Sequence, residues 1–206
     1  MATNYEEGSN MKALYFTGDS IVDSADIEVP SPSKGEVVLQ MKASGVCGSD
    51  LKNFRASKLE KAVLDDLKVP GHEPVGIVSE LGEGVTNVAV GDRIMMHHYT
   101  GCLQCSMCLI GYTQMCLVHH EVYGSTAHGG HQEYMLVPSY TCIPMPDELD
   151  FAAAAACSCG TGTAFHAVKR IQPTGLDTVA IFGQGPVGLS ATMFAAQMGA
   201  RVIAVD

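Results

Sequence analysis

Cys102, Cys105, Cys108 and Cys116 crowd four sulfurs into one loop with the spacing Cys-x2-Cys-x2-Cys-x7-Cys. Sulfur at this density suits one divalent ion held by four thiolates in tetrahedral geometry, the closed arrangement of a structural zinc site. The alternatives are two disulfides or free thiols used as small apolar side chains. Nothing else in the chain points to the oxidising compartment that disulfides require. A second constellation is scattered. Cys47 sits in CGSD, His72 and Glu73 in GHEPVG, and Cys159 just before GTGTAFHAV. Two thiolates and one imidazole make a three-ligand zinc site with an open position, the feature that separates catalytic from structural zinc. Asp50 and Glu73 stand beside ligands, where carboxylates can orient an imidazole or tune a metal. Spacing alone does not join these segments.

A third pattern is Gly183, Gly185 and Gly188, which form G-x-G-x-x-G around Pro186 and Val187, directly after TVAIF. The first glycine permits a tight turn, the second lets backbone approach a pyrophosphate, and the third allows close helix–strand packing. The helix N-terminus then offers N–H groups and partial positive charge to phosphates. Asp206 ends the next apolar run, RVIAVD. A carboxylate about 20 residues on accepts a ribose 2′-OH and repels a 2′-phosphate, which favours NAD over NADP. A glycine-rich turn that binds nothing is the competing reading.

The elements that must position these residues follow from periodicity and punctuation. Val37–Met41, Val75–Leu81 and Tyr134–Val137 are short apolar runs bounded by Gly, Pro, Ser and Asp, as expected of strands in a small antiparallel barrel-like domain. The pattern changes near Pro146–Asp150. Phe151–Cys157 and Thr163–Arg170 read as helical, and Pro173 and Gly175 break the second run. Thr178–Gly183, the glycine turn, an alanine-rich helix and RVIAVD make one βαβ unit with parallel strands. There is no internal repeat.

Composition excludes several classes. The chain has 206 residues, 47% of them hydrophobic and 17% charged, so it is globular rather than disordered. Its net charge is −10, with 12 lysines and arginines spread along it, which argues against nucleic acid as a partner. MATNYEEGSN lacks the basic and apolar regions of a secretory signal. No apolar run approaches the roughly 18 residues that span a bilayer. The expected location is the cytoplasm, where thiols stay reduced.

Taken together, the motifs resemble those of the zinc-dependent medium-chain alcohol dehydrogenases. GHE-x2-G-x5-G-x2-V is present as Gly71, His72, Glu73, Gly76, Gly82 and Val85, and GDR follows at Gly91, Asp92 and Arg93. The cysteine quartet, CGSD and the glycine fingerprint lie in family order from about Met11 onward. The resemblance implies a GroES-like catalytic domain over residues 1–165, with a structural zinc lobe at about 101–117. The start of an NAD-binding Rossmann domain, incomplete, follows over 166–206. It implies two zinc ions per chain. Catalytic zinc is bound by Cys47, His72 and Cys159, with Cys157 the rival third ligand, and structural zinc by the quartet. Zinc then acts as a Lewis acid on an alcohol or polyol, Ser49 takes its proton, and NAD accepts the hydride, giving an aldehyde or ketone. Homodimers or homotetramers are expected of the intact protein. Relatives acting on threonine, sorbitol or a glutathione–formaldehyde adduct, and a silent zinc-stabilised scaffold, are the competing functions.

Two features depart from the family. Lys52 stands where many relatives carry a relaying histidine, and a lysine ammonium is a poor proton acceptor at pH 7. Family members also continue for well over a hundred further residues. Two parallel strands and one helix cannot cover both faces of a sheet. The chain is therefore expected to be a fragment of a longer enzyme, with little NAD turnover of its own. His97–His98, His119–His120 and His128 with His131 are read as structural or pocket-lining, and Cys142 and Cys157 as core thiols.

Overall fold

A computed structural model describes residues 8–58 and 66–206. It divides into two compact units, Met1–Ala155 and Ala156–Asp206.

The first unit is built on β3 (Glu36–Gly45), β4 (Glu73–Leu81), β5 (Arg93–Met96), β6 (Tyr134–Pro138) and β7 (Cys142–Pro144). These form one antiparallel sheet in the order β6-β3-β4-β5-β7. β3, between β6 and β4, pairs on both sides, and Val37, Val38 and Leu39 are all fully buried. Leu39 faces Val78 on one neighbour and Met135 on the other. Around it Val37, Ile94, Met96 and Val137 complete the main core. β-Branched side chains suit such a pleated interior. Leu39→Ala is expected to cost about 2–5 kcal/mol, read as a lower denaturant midpoint.

A separate hairpin, β1 (Asn10–Gly18) and β2 (Ile21–Glu28), precedes this sheet. Its turn residues Asp19 and Ser20 both have positive φ, 50° and 60°, as a two-residue type I′ turn requires. The barrel-like domain expected from sequence is thus realised as open sheets, since no described ladder joins β6 to β7.

Short helices carry the metal-ligand motifs of this unit. Asp50–Phe54 (α1) follows β3, and Ser106–Leu109 (α2) lies in the lobe between β5 and β6. Phe151–Ala156 (α3) begins just after the β-rich part and ends in a π-helical turn, Cys157–Thr161. In the second unit, Gly162–Ile171 (α4) continues from that turn. There β8 (Thr178–Phe182) and β9 (Arg201–Val205) pair in parallel, in register from Thr178↔Arg201 to Phe182↔Val205, through α5 (Pro186–Gln197). This is the βαβ unit read from sequence. The break between units falls earlier than residue 165 because α4 belongs with α5. Phe165 meets Phe194 edge-to-face at 5.3 Å, and Thr161 Oγ1 lies 3.1 Å from Ser190 Oγ. Among the described residues no helix is long and apolar enough to cross a membrane.

Candidate metal and nucleotide sites

The cysteine lobe has too little apolar burial to hold itself together. Leu109, Ile110, Leu117 and Val118 are 72%, 64%, 68% and 73% exposed. Its four sulfurs nevertheless converge, all within 4.8 Å of one another. Cys102 Sγ lies 4.0 Å from Cys108 Sγ, and Cys105 Sγ 3.8 Å from Cys116 Sγ. A zinc–thiolate tetrahedron with bonds of about 2.3 Å has edges of about 3.8 Å, so the quartet fits the ion. These separations exceed the roughly 2.05 Å of an S–S bond, and all eight cysteines are free. Backbone N–H groups add the usual support for thiolates. Cys105 donates to Cys102 Sγ at 3.3 Å, Leu117 to Cys105 Sγ at 3.5 Å, and Cys102 and His119 to Cys116 Sγ at 3.3 and 3.4 Å. Donation from Cys102, with further help from Val118 and His119, outweighs burial and holds the Cys116 thiol down to about 5. Burial pushes Cys108 up to about 12. A divalent cation removes this conflict, because it deprotonates a coordinating thiol outright.

Strand register assembles the other site. The β3–β4 ladder ends with Gly45 opposite Glu73, which brings the turn after β3 alongside the start of β4. A Cβ at Gly45 would meet the Glu73 carboxylate, so any larger residue there would displace that side chain. Cys47 Sγ, a His72 ring nitrogen and a Glu73 carboxylate oxygen then lie within 4.8 Å of one another.

Asp50, at the start of α1 and 7% exposed, ties the site together. One carboxylate oxygen accepts the Cys47 N–H at 2.8 Å, and the other lies 3.0 Å from His72 Nδ1. Burial opposes charge on Asp50, but the hydrogen bonds from His72 and Cys47 prevail and hold it below the usual carboxylate range. An ionised carboxylate only accepts, so Nδ1 carries the hydrogen and Nε2 presents its lone pair. This is the arrangement in which a carboxylate orients a metal-binding imidazole. Burial likewise opposes ionisation of Cys47, but hydrogen bonds from Ser49 and His72 lower its thiol. Glu73 is raised, chiefly by burial. Ser49 Oγ stands 3.5 Å from His72 Nε2.

The neighbouring histidines diverge, as adjacent residues in an extended segment do. The His98 ring lies 5.1 Å from that of His72, while His97 Nε2 reaches Thr113 Oγ1 at 3.1 Å. Nothing in the spacing of His98 marks this proximity to His72. Cys142 is buried, and Cys157 is only half-buried.

In the second unit Cys159 lies in the π-helical turn, and the glycine fingerprint lies between β8 and α5. Gly183 has φ +86°, Gly185 caps α5, and Pro186 is its first residue. A Cβ at Gly183 or Gly185 would meet no atom within 4 Å, which leaves space for a ligand against the backbone. A Cβ at Gly188 would collide with the Gly183 carbonyl oxygen. Gly188→Ala is therefore expected to cost about 1–3 kcal/mol, seen as weaker protection of α5 and β8 amides in hydrogen exchange. The Gln184 N–H donates to Asp206 Oδ1 at 2.8 Å, which sets that carboxylate across the glycine turn.

Residues 33–147 match the alcohol dehydrogenase GroES-like domain. The chain is 37% identical over 203 residues to the uncharacterized zinc-type alcohol dehydrogenase-like protein YphC of Escherichia coli K12, covering 95% of this chain and 58% of that protein. An alcohol dehydrogenase of E. coli CFT073, solved with cofactor NADH, superposes with a TM-score of 0.82 at 30% identity, covering 97% of this chain and 57% of that one. The cobalt- and zinc-bound thermostable alcohol dehydrogenase of Pyrobaculum aerophilum gives a TM-score of 0.81 at 30% identity, over 96% and 60%. The chain spans about half the length of the curated relatives it matches. It belongs to the zinc-type medium-chain alcohol dehydrogenase family, with a GroES-like domain followed by the first βαβ unit of a Rossmann fold.

Proposed function

We propose that the chain carries the zinc-binding and the first nucleotide-binding part of an NAD-dependent dehydrogenase that oxidises an alcohol or polyol to an aldehyde or ketone. The observation that carries this reading is Asp50, whose one buried carboxylate holds both the Cys47 backbone and the His72 ring. A merely structural turn has no need of that shared clamp. Cys47, His72 and Cys159 are the ligands we assign to the catalytic zinc, and the quartet those of a second zinc. Cys159 is preferred to Cys157 because it stands four residues before Thr163, where the family places its third ligand. Two residues apart on a helical turn, the two thiols point to different sides, so one of them serves. The zinc supplies Lewis-acid polarisation of the alcohol oxygen, and NAD supplies the hydride acceptor.

The chain's own residues do the rest. Ser49 Oγ would take the substrate proton as it passes its own hydroxyl proton outward to solvent. Asp50 keeps the hydrogen on His72 Nδ1. Gly183, Gly185, Pro186, Val187 and Gly188 shape the pyrophosphate cradle. Asp206, with one oxygen on Gln184, offers the other to the ribose 2′-OH and disfavours a 2′-phosphate. Assembly as a homodimer or homotetramer in the cytoplasm belongs to the same reading. Phe182, 79% exposed on β8, is apolar surface that such assembly or further sheet would cover.

Metal content and NAD reduction with a panel of alcohols and polyols test it. Two zinc ions per chain and alcohol-dependent NADH formation in the intact enzyme support the proposal; one zinc held by the quartet alone supports a scaffold. Asp50→Asn is a sharper probe. An amide can accept only one of the two hydrogen bonds and turns an NH2 toward the other donor. Catalytic zinc affinity is expected to fall about 10–100-fold in chelator competition, while the quartet keeps its ion.

A further inference from the structure

The cysteine lobe has a second property besides its four sulfurs. From Ile94 to His120 the sequence has no Asp, Glu, Lys or Arg, in a chain of which 17% of residues are charged and whose net charge is −10. Arg93 and Glu121 bound this stretch. What the lobe shows to water instead is apolar. Leu109, Ile110, Leu117 and Val118 are two-thirds to three-quarters exposed, and Leu103 and Met115 about half. Backbone geometry puts the two pairs side by side. The Leu109 N–H donates to the Cys105 carbonyl at 3.0 Å and the Leu117 N–H to Cys105 Sγ at 3.5 Å, so the end of α2 and the segment after Cys116 meet on one residue. Single exposed apolar side chains are ordinary, but a contiguous patch beyond a few hundred Å2 marks an interaction surface.

Charge selects the occupant. Two copies of a chain at −10 repel one another over most of their surfaces. On this face no charged side chain of either copy opposes contact, and none requires a partner of opposite sign. Four thiolates around one divalent ion leave negative charge inside the lobe, and the N–H groups of Cys102, Cys105, Leu117 and His119 already meet it. Area agrees. A two-fold axis presents the same patch twice. Six half- to three-quarter-exposed apolar side chains from each copy bring the buried surface to roughly 1,200 Å2, where specific interfaces begin.

We infer that the cysteine lobe is a self-association surface, on which two copies of the enzyme meet about a two-fold axis with Leu109 and Leu117 at the contact. The inference rests on the homo-oligomeric assembly in the proposed function and adds where the copies meet. It also ties assembly to the quartet's ion, since that ion folds the lobe carrying the patch.

Sedimentation of the zinc-loaded intact enzyme tests it, with no turnover in the readout. Leu109→Glu/Leu117→Glu should halve the mass of the assembly and raise its dissociation constant at least about a hundredfold. Leu109→Gln/Leu117→Gln, which removes the apolar contact without adding charge, should raise it about tenfold. Ile21→Glu/Val22→Glu, which adds the same charge to exposed apolar residues of the β1–β2 hairpin, should leave it unchanged. Added salt should not loosen the parent assembly, as it loosens an ion-paired one. Hydrogen exchange on the unmodified enzyme is the second measurement. Amides of residues 109–118 should exchange more slowly in the assembly than after dilution to the dissociated form. Equal losses in the two Glu variants would trace dissociation to added charge and overturn the inference. So would a mass unmoved by the lobe variants, or lobe amides that exchange alike in both states. A parent enzyme that sediments as a monomer would overturn the assembly and this surface together. Loss of NAD reduction in an intact assembly bears on the dehydrogenase reading alone.

Discussion

Cys47→Ala is expected to reduce zinc from two ions per chain to one and to lower alcohol-dependent NAD reduction by the intact enzyme on the order of 10³–10⁴-fold. The size follows from what Lewis-acid polarisation supplies, several kcal/mol of charge stabilisation that no neighbouring side chain replaces. The fold should tolerate the change. Cys47 is only half-buried, and its hydrogen bond to Asp50 runs through the backbone N–H, which alanine keeps. Thermal unfolding should therefore move little while metal content and turnover collapse together. Elemental analysis and an NADH absorbance assay on the same preparation check this. A variant that keeps full activity would refute the assignment of Cys47 as a ligand.

Cys105→Ser should do the reverse. It removes a ligand from a lobe whose apolar side chains face solvent, with Leu109 72% and Val118 73% exposed. Without burial to fold it, the lobe depends on its ion, and metal-binding free energy there is folding free energy. Loss of about 3–5 kcal/mol is expected, equivalent to a fall of about 10 °C in melting temperature for a chain of this size. Chelator should lower the melting temperature of the parent chain in the same way and barely affect the variant. Activity measured well below the melting point should survive, because no quartet thiol belongs to the Cys47–His72 site. Parent and variant melting together, with and without chelator, would show that the quartet carries no structural metal.

Local chemistry was legible where it depends on near neighbours in the chain. The quartet's spacing already implies four thiolates around one ion, and the structure closes them to tetrahedral edges. The βαβ unit was equally readable, because its strands and glycine turn are consecutive, and Gly188 proves to sit where no side chain fits. The β1–β2 hairpin was not. Every residue of β2 but Ile27 is exposed, so no alternation marks it, and its turn is Asp19-Ser20 rather than Asn-Gly.

The sequence by itself determined which residue types can bind metal and where the nucleotide turn lies. Both are properties of side-chain chemistry and short spacing. Tertiary structure alone decided that one carboxylate serves two candidate ligands. Asp50 reaches His72 only because β3 and β4 pair antiparallel with Gly45 opposite Glu73. That register is set by burial of Val37, Leu39 and Val78 in a core far along the strands, and no local pattern around Asp50 or His72 encodes it.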